Sequence, residues 1–128
     1  MAAEPSRTLL CIEDNELNMA LVESFVAGLP GVTLLKASTG REGVQLARAQ
    51  RPDLVLLDMK LPDIDGLQVV RDLNVEVAAG LKIVLLTALD FSTDVVKAMS
   101  LGAREYWVKP IDGRKLQDGI TRLLRREA

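Results

Sequence analysis

Histidine is absent from this 128-residue chain. That excludes histidine general-base triads, imidazole metal ligands and any phosphohistidine relay within the chain. Cysteine occurs once, as Cys11 in the apolar run TLLCI, where it reads as a small buried hydrophobe with no catalytic role. A dominant charge is lacking too. Lys and Arg total 16 against 18 Asp and Glu, a formal net charge of −2, so nothing draws the chain generally toward nucleic acid or an anionic membrane, and partners must be recognised locally. No stretch approaches the roughly 18 apolar residues of a membrane span, and the N-terminus MAAEPSRTLL has no signal-peptide apolar region, so membrane insertion is not expected and a cytoplasmic location is. The chemistry left is that of carboxylates, lysine, hydroxyls and a metal they could hold.

What is present is ordinary globular composition, 48% hydrophobic and 27% charged, enough for one domain with a real core and no room for a second. Short apolar runs alternate with segments of helical spacing. Thr8–Ile12, Thr33–Ala37, Leu54–Asp58, Ile83–Leu86 and Glu105–Val108 read as strands. Between and after them, helices are predicted around Leu17–Leu29, from Thr39 to before Pro52, from Leu67 fading through Asn74 to Gly80, from Ser92 to Gly102, and around Leu116–Leu124. Thr39 and Glu42 stand in the order of a capping box, Ser92 can cap the fourth helix, and Arg122, Arg125 and Arg126 gather at the end of the last. Apolar strands without polar alternation, each followed by a helix, predict an α/β fold: a five-stranded parallel sheet with helices on both faces, a (βα)5 unit. Periodicity does not give strand order; the flavodoxin-like order 2-1-3-4-5 is the common one for five strands.

The chain is organised around LVLLDMKLPDIDG, Leu54 to Gly66. An unbroken apolar strand ends in Asp58, and Pro62 and Gly66 then turn the chain before the next helix. In open α/β sheets ligands bind beyond the carboxyl ends of the strands, and there the other strands also carry useful groups: Glu13 and Asp14 after the first, Thr87 at the fourth, Lys109 after the fifth. Three close carboxylates repel unless a cation holds them; Mg²⁺, an oxygen-seeking ion that binds through one or two carboxylates and a phosphate, suits the set. Asp58 can then act as nucleophile toward a phosphoryl group, with the metal, Lys109 and the Thr87 hydroxyl meeting its oxygens. A hydroxyl drawn to a newly arrived phosphate could shift the following loop and work as a switch.

IEDN at 12–15, LVLLDMKLPDIDG at 54–66, LLTA at 85–88 and GAREYWVKP at 102–110, in this order and spacing, resemble the receiver domain of two-component response regulators over about Thr8 to Leu124. The resemblance implies a phosphoacceptor signalling domain that promotes its own phosphorylation and dephosphorylation and is not an enzyme. Asp58 would accept the phosphoryl group from a histidine kinase or histidine phosphotransfer protein. Asp14 would bind Mg²⁺ directly, Glu13 mainly through water, and Lys60 through its backbone carbonyl. Thr87 and Tyr106 would be a coupled switch pair, with Trp107 the packing residue, Lys109 the phosphate partner, and Lys109–Pro110 a cis peptide. Glu13 replaces a frequent aspartate and Ile111 the usual phenylalanine; Lys60, two residues past the acceptor, bears on the lifetime of the phosphorylated state.

Two rivals stand beside this reading. Asp63-Ile64-Asp65-Gly66 imitates the DxDG signature of haloacid-dehalogenase-like phosphatases, although that motif should follow a strand directly and Pro62 intervenes. A pseudo-receiver would keep the fold as an interaction module without phosphorylation. For output, the resemblance points to the face made by the fourth helix, fifth strand and fifth helix, around Val96–Leu101, Tyr106 and the last helix, meeting a downstream protein. A phosphate sink or a piece of a hybrid kinase are the alternatives.

Overall fold

The computed structural model of the chain describes residues 6–88 and 92–125. Among the described residues five strands, β1 (Arg7–Ile12), β2 (Val32–Ala37), β3 (Leu54–Asp58), β4 (Lys82–Thr87) and β5 (Glu105–Val108), alternate with six helices: α1 (Glu16–Val26), α2 (Gly40–Gln50), α3 (Gly66–Asp72), α4 (Asn74–Ala78), α5 (Thr93–Ser100) and α6 (Gly113–Leu124). The strands form one parallel sheet in the order β2-β1-β3-β4-β5, the flavodoxin-like order expected.

The apolar runs lack alternation because both faces of the sheet are covered. On one face Leu10, Ile12, Val55, Leu57, Ile83 and Leu85 pack with residues of α2, α3 and α5. On the other, Leu9, Cys11, Leu54, Leu56, Val84 and Leu86 pack with α1 and α6. Successive side chains of each strand enter opposite cores. The predicted caps form: Thr39 and Ser92 accept from the backbone N–H of Glu42 and Val95, and Ser38 N–H donates to Glu42.

Two expectations need correction. The third helix does not fade: it stops at Asp72, and a separate helix, α4, follows, so the predicted fourth and fifth helices are α5 and α6. The first helix ends at Val26, short of Leu29. Moreover, of the positions at helical spacing that marked it, Leu17, Ala20, Leu21, Ser24, Phe25 and Leu29, the first four are exposed, whereas Phe25 and Leu29 pack with Met19 beside the buried Val22 and Val26. Arg126, placed at the end of the last helix, lies outside the described residues.

At the amino-terminal edge of the strands, a cleft is lined by five cations, Arg7, Arg48, Arg51, Lys82 and Arg125, against two acids, Asp53 and Glu76. Three of these cations are engaged with helix ends: Arg7 donates to the Leu124 carbonyl, Lys82 to that of Leu123, and Arg48 to that of Asp72. Helices in a parallel α/β fold point their carbonyl ends to this edge, and cations settle there.

At the other edge α2 comes close to β1. A β-carbon on Gly43 would run into Ile12 Cδ1 and Cγ1, just before Glu13. Alanine is the better helix former by about 0.5–1 kcal/mol, but overpacking a full core costs about 1–3 kcal/mol. Gly43→Ala should therefore lose about 1–2 kcal/mol in urea unfolding; unchanged or raised stability would mean that Ile12 has room to yield.

Candidate functional site

Parallel register gathers the reactive groups. Ile12 of β1 pairs with Leu57 of β3, so Glu13 follows at the level of Asp58; Asp58 pairs with Leu86 of β4, one residue before Thr87; Thr87 pairs with Val108 of β5, one before Lys109. Lys109 N–H donates to the Thr87 carbonyl at 2.7 Å and Met59 N–H to that of Leu86 at 3.1 Å, prolonging the ladder to the point where side chains leave it. The Lys109–Pro110 peptide is cis.

Lys109 Nζ lies 3.0 Å from Glu13 Oε1 and 3.3 Å from Asp58 Oδ1. Both carboxylates are buried, at 2% and 6% exposure. Asp58 Oδ1 also accepts from Lys60 N–H at 3.1 Å, and Glu13 Oε2 from Asn15 N–H at 3.5 Å. Asp14 is exposed. Oxygens of Glu13, Asp14 and Asp58 nevertheless lie within 4.8 Å of one another. One ammonium cannot neutralise three ionised carboxylates. Burial, then the bond with Glu13 and its charge, push the Asp58 carboxyl up to about 6, against the Lys60 N–H and Lys109. For Glu13 burial acts upward, but hydrogen bonds with Asp58 and Lys109 outweigh it and hold the carboxyl low. Burial works to lower Lys109, and its bond to Glu13 and the charge of Asp58 overcome that and raise it. The excess negative charge, spread over converging hard oxygens, fits a divalent cation of the Mg²⁺ class.

Glu13, Asp14, Asp58, Lys60, Thr87 and Lys109 together line a cleft of about 860 Å³. Tyr106 does not line it; it sits on β5 level with Leu85 and packs on the core shared with α3 and α5. Trp107 points to the opposite core, where its ring edge fills the space a β-carbon on Gly119 would need. Cys11 is no nucleophile: burial, reinforced by Glu13, pushes its thiol up to about 12. Sequence reasoning missed two features. Asn15 caps α1, accepting from Asn18 N–H; an asparagine before a helical pattern is a readable signal. Leu17, 70% exposed, lies on the rim of the cleft with Leu21, 48% exposed, one turn further along α1.

The response regulator receiver domain family matches residues 9–121. The chain belongs to this family. It is 40% identical over 119 residues to the transcriptional regulatory protein AfsQ1 of Streptomyces coelicolor, covering 93% of this chain and 52% of AfsQ1, and 32% identical over 117 residues to PilH of Pseudomonas aeruginosa, covering 91% and 96%. The chain thus spans about half of the first relative and nearly all of the second. The CheY-like response regulator receiver domain protein of Methanospirillum hungatei has the same fold, with a TM-score of 0.84 at 23% identity over 93% of this chain and 94% of that one. The protein is therefore a receiver domain of two-component signal transduction, and no described helix is long and apolar enough to cross a membrane.

The site should cost this receiver stability when no metal is present. An Asp58 carboxyl that titrates near 6 when folded, against an ordinary 3.8, keeps a proton that the unfolded chain gives up between those values. Its contribution to stability therefore falls as pH rises from about 4 to 6 and is level above. In EDTA, Asp58→Asn should be about 1–2 kcal/mol more stable than wild type above pH 6.5, with the gap closing near pH 4. Chemical unfolding across pH measures this, and a gap independent of pH would contradict it.

Proposed function

We propose that this receiver domain takes a phosphoryl group onto Asp58 from a phosphohistidine on a histidine kinase or histidine phosphotransfer protein, and later releases it by hydrolysis. The observation that carries the reading is the Asp58 carboxylate, anchored at the end of a buried strand, open to the cleft, bridged by Lys109 to Glu13 and grouped with the Glu13 and Asp14 oxygens. A carboxylate oxygen attacks phosphorus, the P–N bond breaks, and the electron pair leaves with the imidazole. Hydrolysis reverses the loading: water attacks phosphorus, the P–O bond breaks, and the Asp58 carboxylate and inorganic phosphate return. Asp14, Asp58 and the Lys60 carbonyl would hold Mg²⁺, with Glu13 acting through water. When bound, that ion would offset charge on the phosphoryl oxygens.

The chain's own groups do the rest. Lys109 holds Glu13 and Asp58 together before transfer and is within reach to meet a phosphoryl oxygen after it. Thr87 lines the same cleft and can give its hydroxyl to another oxygen, and Tyr106 on β5 is the partner through which that movement would reach the surface. Val96, Leu101 and Val108 are exposed on the adjoining face of α5 and β5, a surface suited to a downstream protein. A donor must cover the cleft mouth to bring its imidazole to Asp58, and exposed Leu17 on the rim, with exposed Leu21 one turn further along α1, suits an apolar partner helix. The near-neutral charge balance favours protein partners over direct contact with nucleic acid. We assign the chain as one receiver unit, about 8–124, working in the cytoplasm. A phosphatase reading is weakened because Asp63 and Asp65 are both engaged at helix N-termini.

Acetyl phosphate with Mg²⁺, followed by intact mass measurement, tests the proposal. Wild type should gain one phosphoryl group, and neither Asp58→Asn nor wild type in EDTA should. An adduct on Asp58→Asn, or catalytic release of phosphate from a phosphomonoester, would overturn the assignment.

A further inference from the structure

Asp63, in sequence a residue of the loop between β3 and α3, has a defined task in the structure. The first turn of a helix leaves backbone N–H groups without partners. In α2 the local capping box takes the Glu42 N–H, through Thr39 Oγ1 at 3.1 Å. The two earlier donors, Gly40 and Arg41, are taken from 23 and 22 residues away: Gly40 N–H donates to Asp63 Oδ1 at 2.8 Å and Arg41 N–H to Asp63 Oδ2 at 3.0 Å. Each carboxylate oxygen thus holds one donor, at the end of the helix that favours negative charge. Burial would raise the Asp63 carboxyl, but the Arg41 and Gly40 N–H groups prevail and keep it well below the usual carboxylate range. The loop is also packed against the helix: a β-carbon on Gly40 would come within 2.5 Å of Ile64 Cγ1.

We propose that Asp63 is a positioning residue for the cation site, clamping the β3–α3 loop to the N-terminus of α2 so that the Lys60 carbonyl is presented to the cleft at a fixed place. The proposal rests on the metal reading given above. A carboxylate ligand can adjust through its side-chain torsions; a backbone carbonyl goes where the main chain is put. At its start the loop is held by Met59 N–H on Leu86 and Lys60 N–H on Asp58, and at its end by Gly66 N–H on the Met59 carbonyl and by Asp65 capping α3. The Asp63 clamp holds the middle, three residues past Lys60, and Pro62 between them has its φ fixed, so restraint at Asp63 reaches Lys60. Mg²⁺ demands near-ideal octahedral geometry and tolerates displaced ligands poorly.

The experiment is Mg²⁺ titration by calorimetry on the whole chain, with thermal melting of each variant in EDTA. Asp63→Ala should weaken Mg²⁺ binding about ten-fold, as is usual when the support of a ligand is removed. Thr39→Ala strips a cap from the same helix without touching the loop; it should lower the melting temperature comparably and leave Mg²⁺ affinity within about two-fold. Asp63→Asn, which keeps one acceptor oxygen, should recover part of the lost affinity. Asp63→Ala with wild-type affinity, or Thr39→Ala weakening the metal equally, would overturn the clamp while leaving the site intact. Failure of wild type to bind Mg²⁺ would overturn both the metal reading and the clamp that serves it.

Discussion

One ammonium group, Lys109 Nζ, stands between two buried carboxylates at the edge of the sheet, and the arrangement of the cleft depends on it. Ionised groups leave water only when compensated, and like charges this close raise each other's proton affinity. Lysine compensates Glu13 and part of Asp58 and leaves the negative charge of Asp14 and the remainder of Asp58 over. That surplus makes the cleft receptive to a divalent cation, and it makes the metal-free domain carry a strained set of charges at neutral pH. The pull on a cation and the instability have the same source.

The fold holds this arrangement by simple means. Parallel strands covered on both faces end together at one edge, so residues just past the apolar runs become neighbours although up to 96 positions separate Glu13 from Lys109 in the chain. The core behind them is closely packed on both sides, with Gly43 admitting Ile12 and Gly119 admitting the Trp107 ring. The helix ends are put to use as well. Carbonyl ends collect Arg7, Lys82 and Arg48 at the far edge, whereas the amino end of α2 takes Asp63 at the near one. The β3–α3 loop beside the cleft is therefore tied to a rigid element, which suits a site whose ligands must converge on one ion.

Much of this was legible beforehand, and the exceptions share a cause. Strand ends were readable because an apolar run that stops at a polar or charged residue has one interpretation in a two-sided sheet; hence the places of Asp58, Thr87 and Lys109 at the strand ends followed from local pattern. The capping box at Thr39 and Glu42 is local too. Asp63 was not legible, because its partners at Gly40 and Arg41 lie in another segment and no spacing rule connects them. α1 misled for a different reason: ELNMALVESFV is apolar around most of its circumference, so 3.6-residue periodicity fits the Leu17–Leu21 side as well as the Val22–Val26 side, and only the tertiary contacts decide. α4 has no side-chain cap and buries none of its residues, which leaves little in the sequence to announce it.

The charge arrangement at Lys109 is tested most directly by a crystal structure with Mg²⁺ and beryllofluoride, a phosphoryl mimic that attaches to carboxylates. The beryllium should be bonded to an Asp58 oxygen, the cation should rest on Asp14, and Lys109 Nζ should have turned from Glu13 to a fluorine. Beryllofluoride on another acid, or Lys109 still bridging Glu13 and Asp58 with the mimic in place, would contradict the reading.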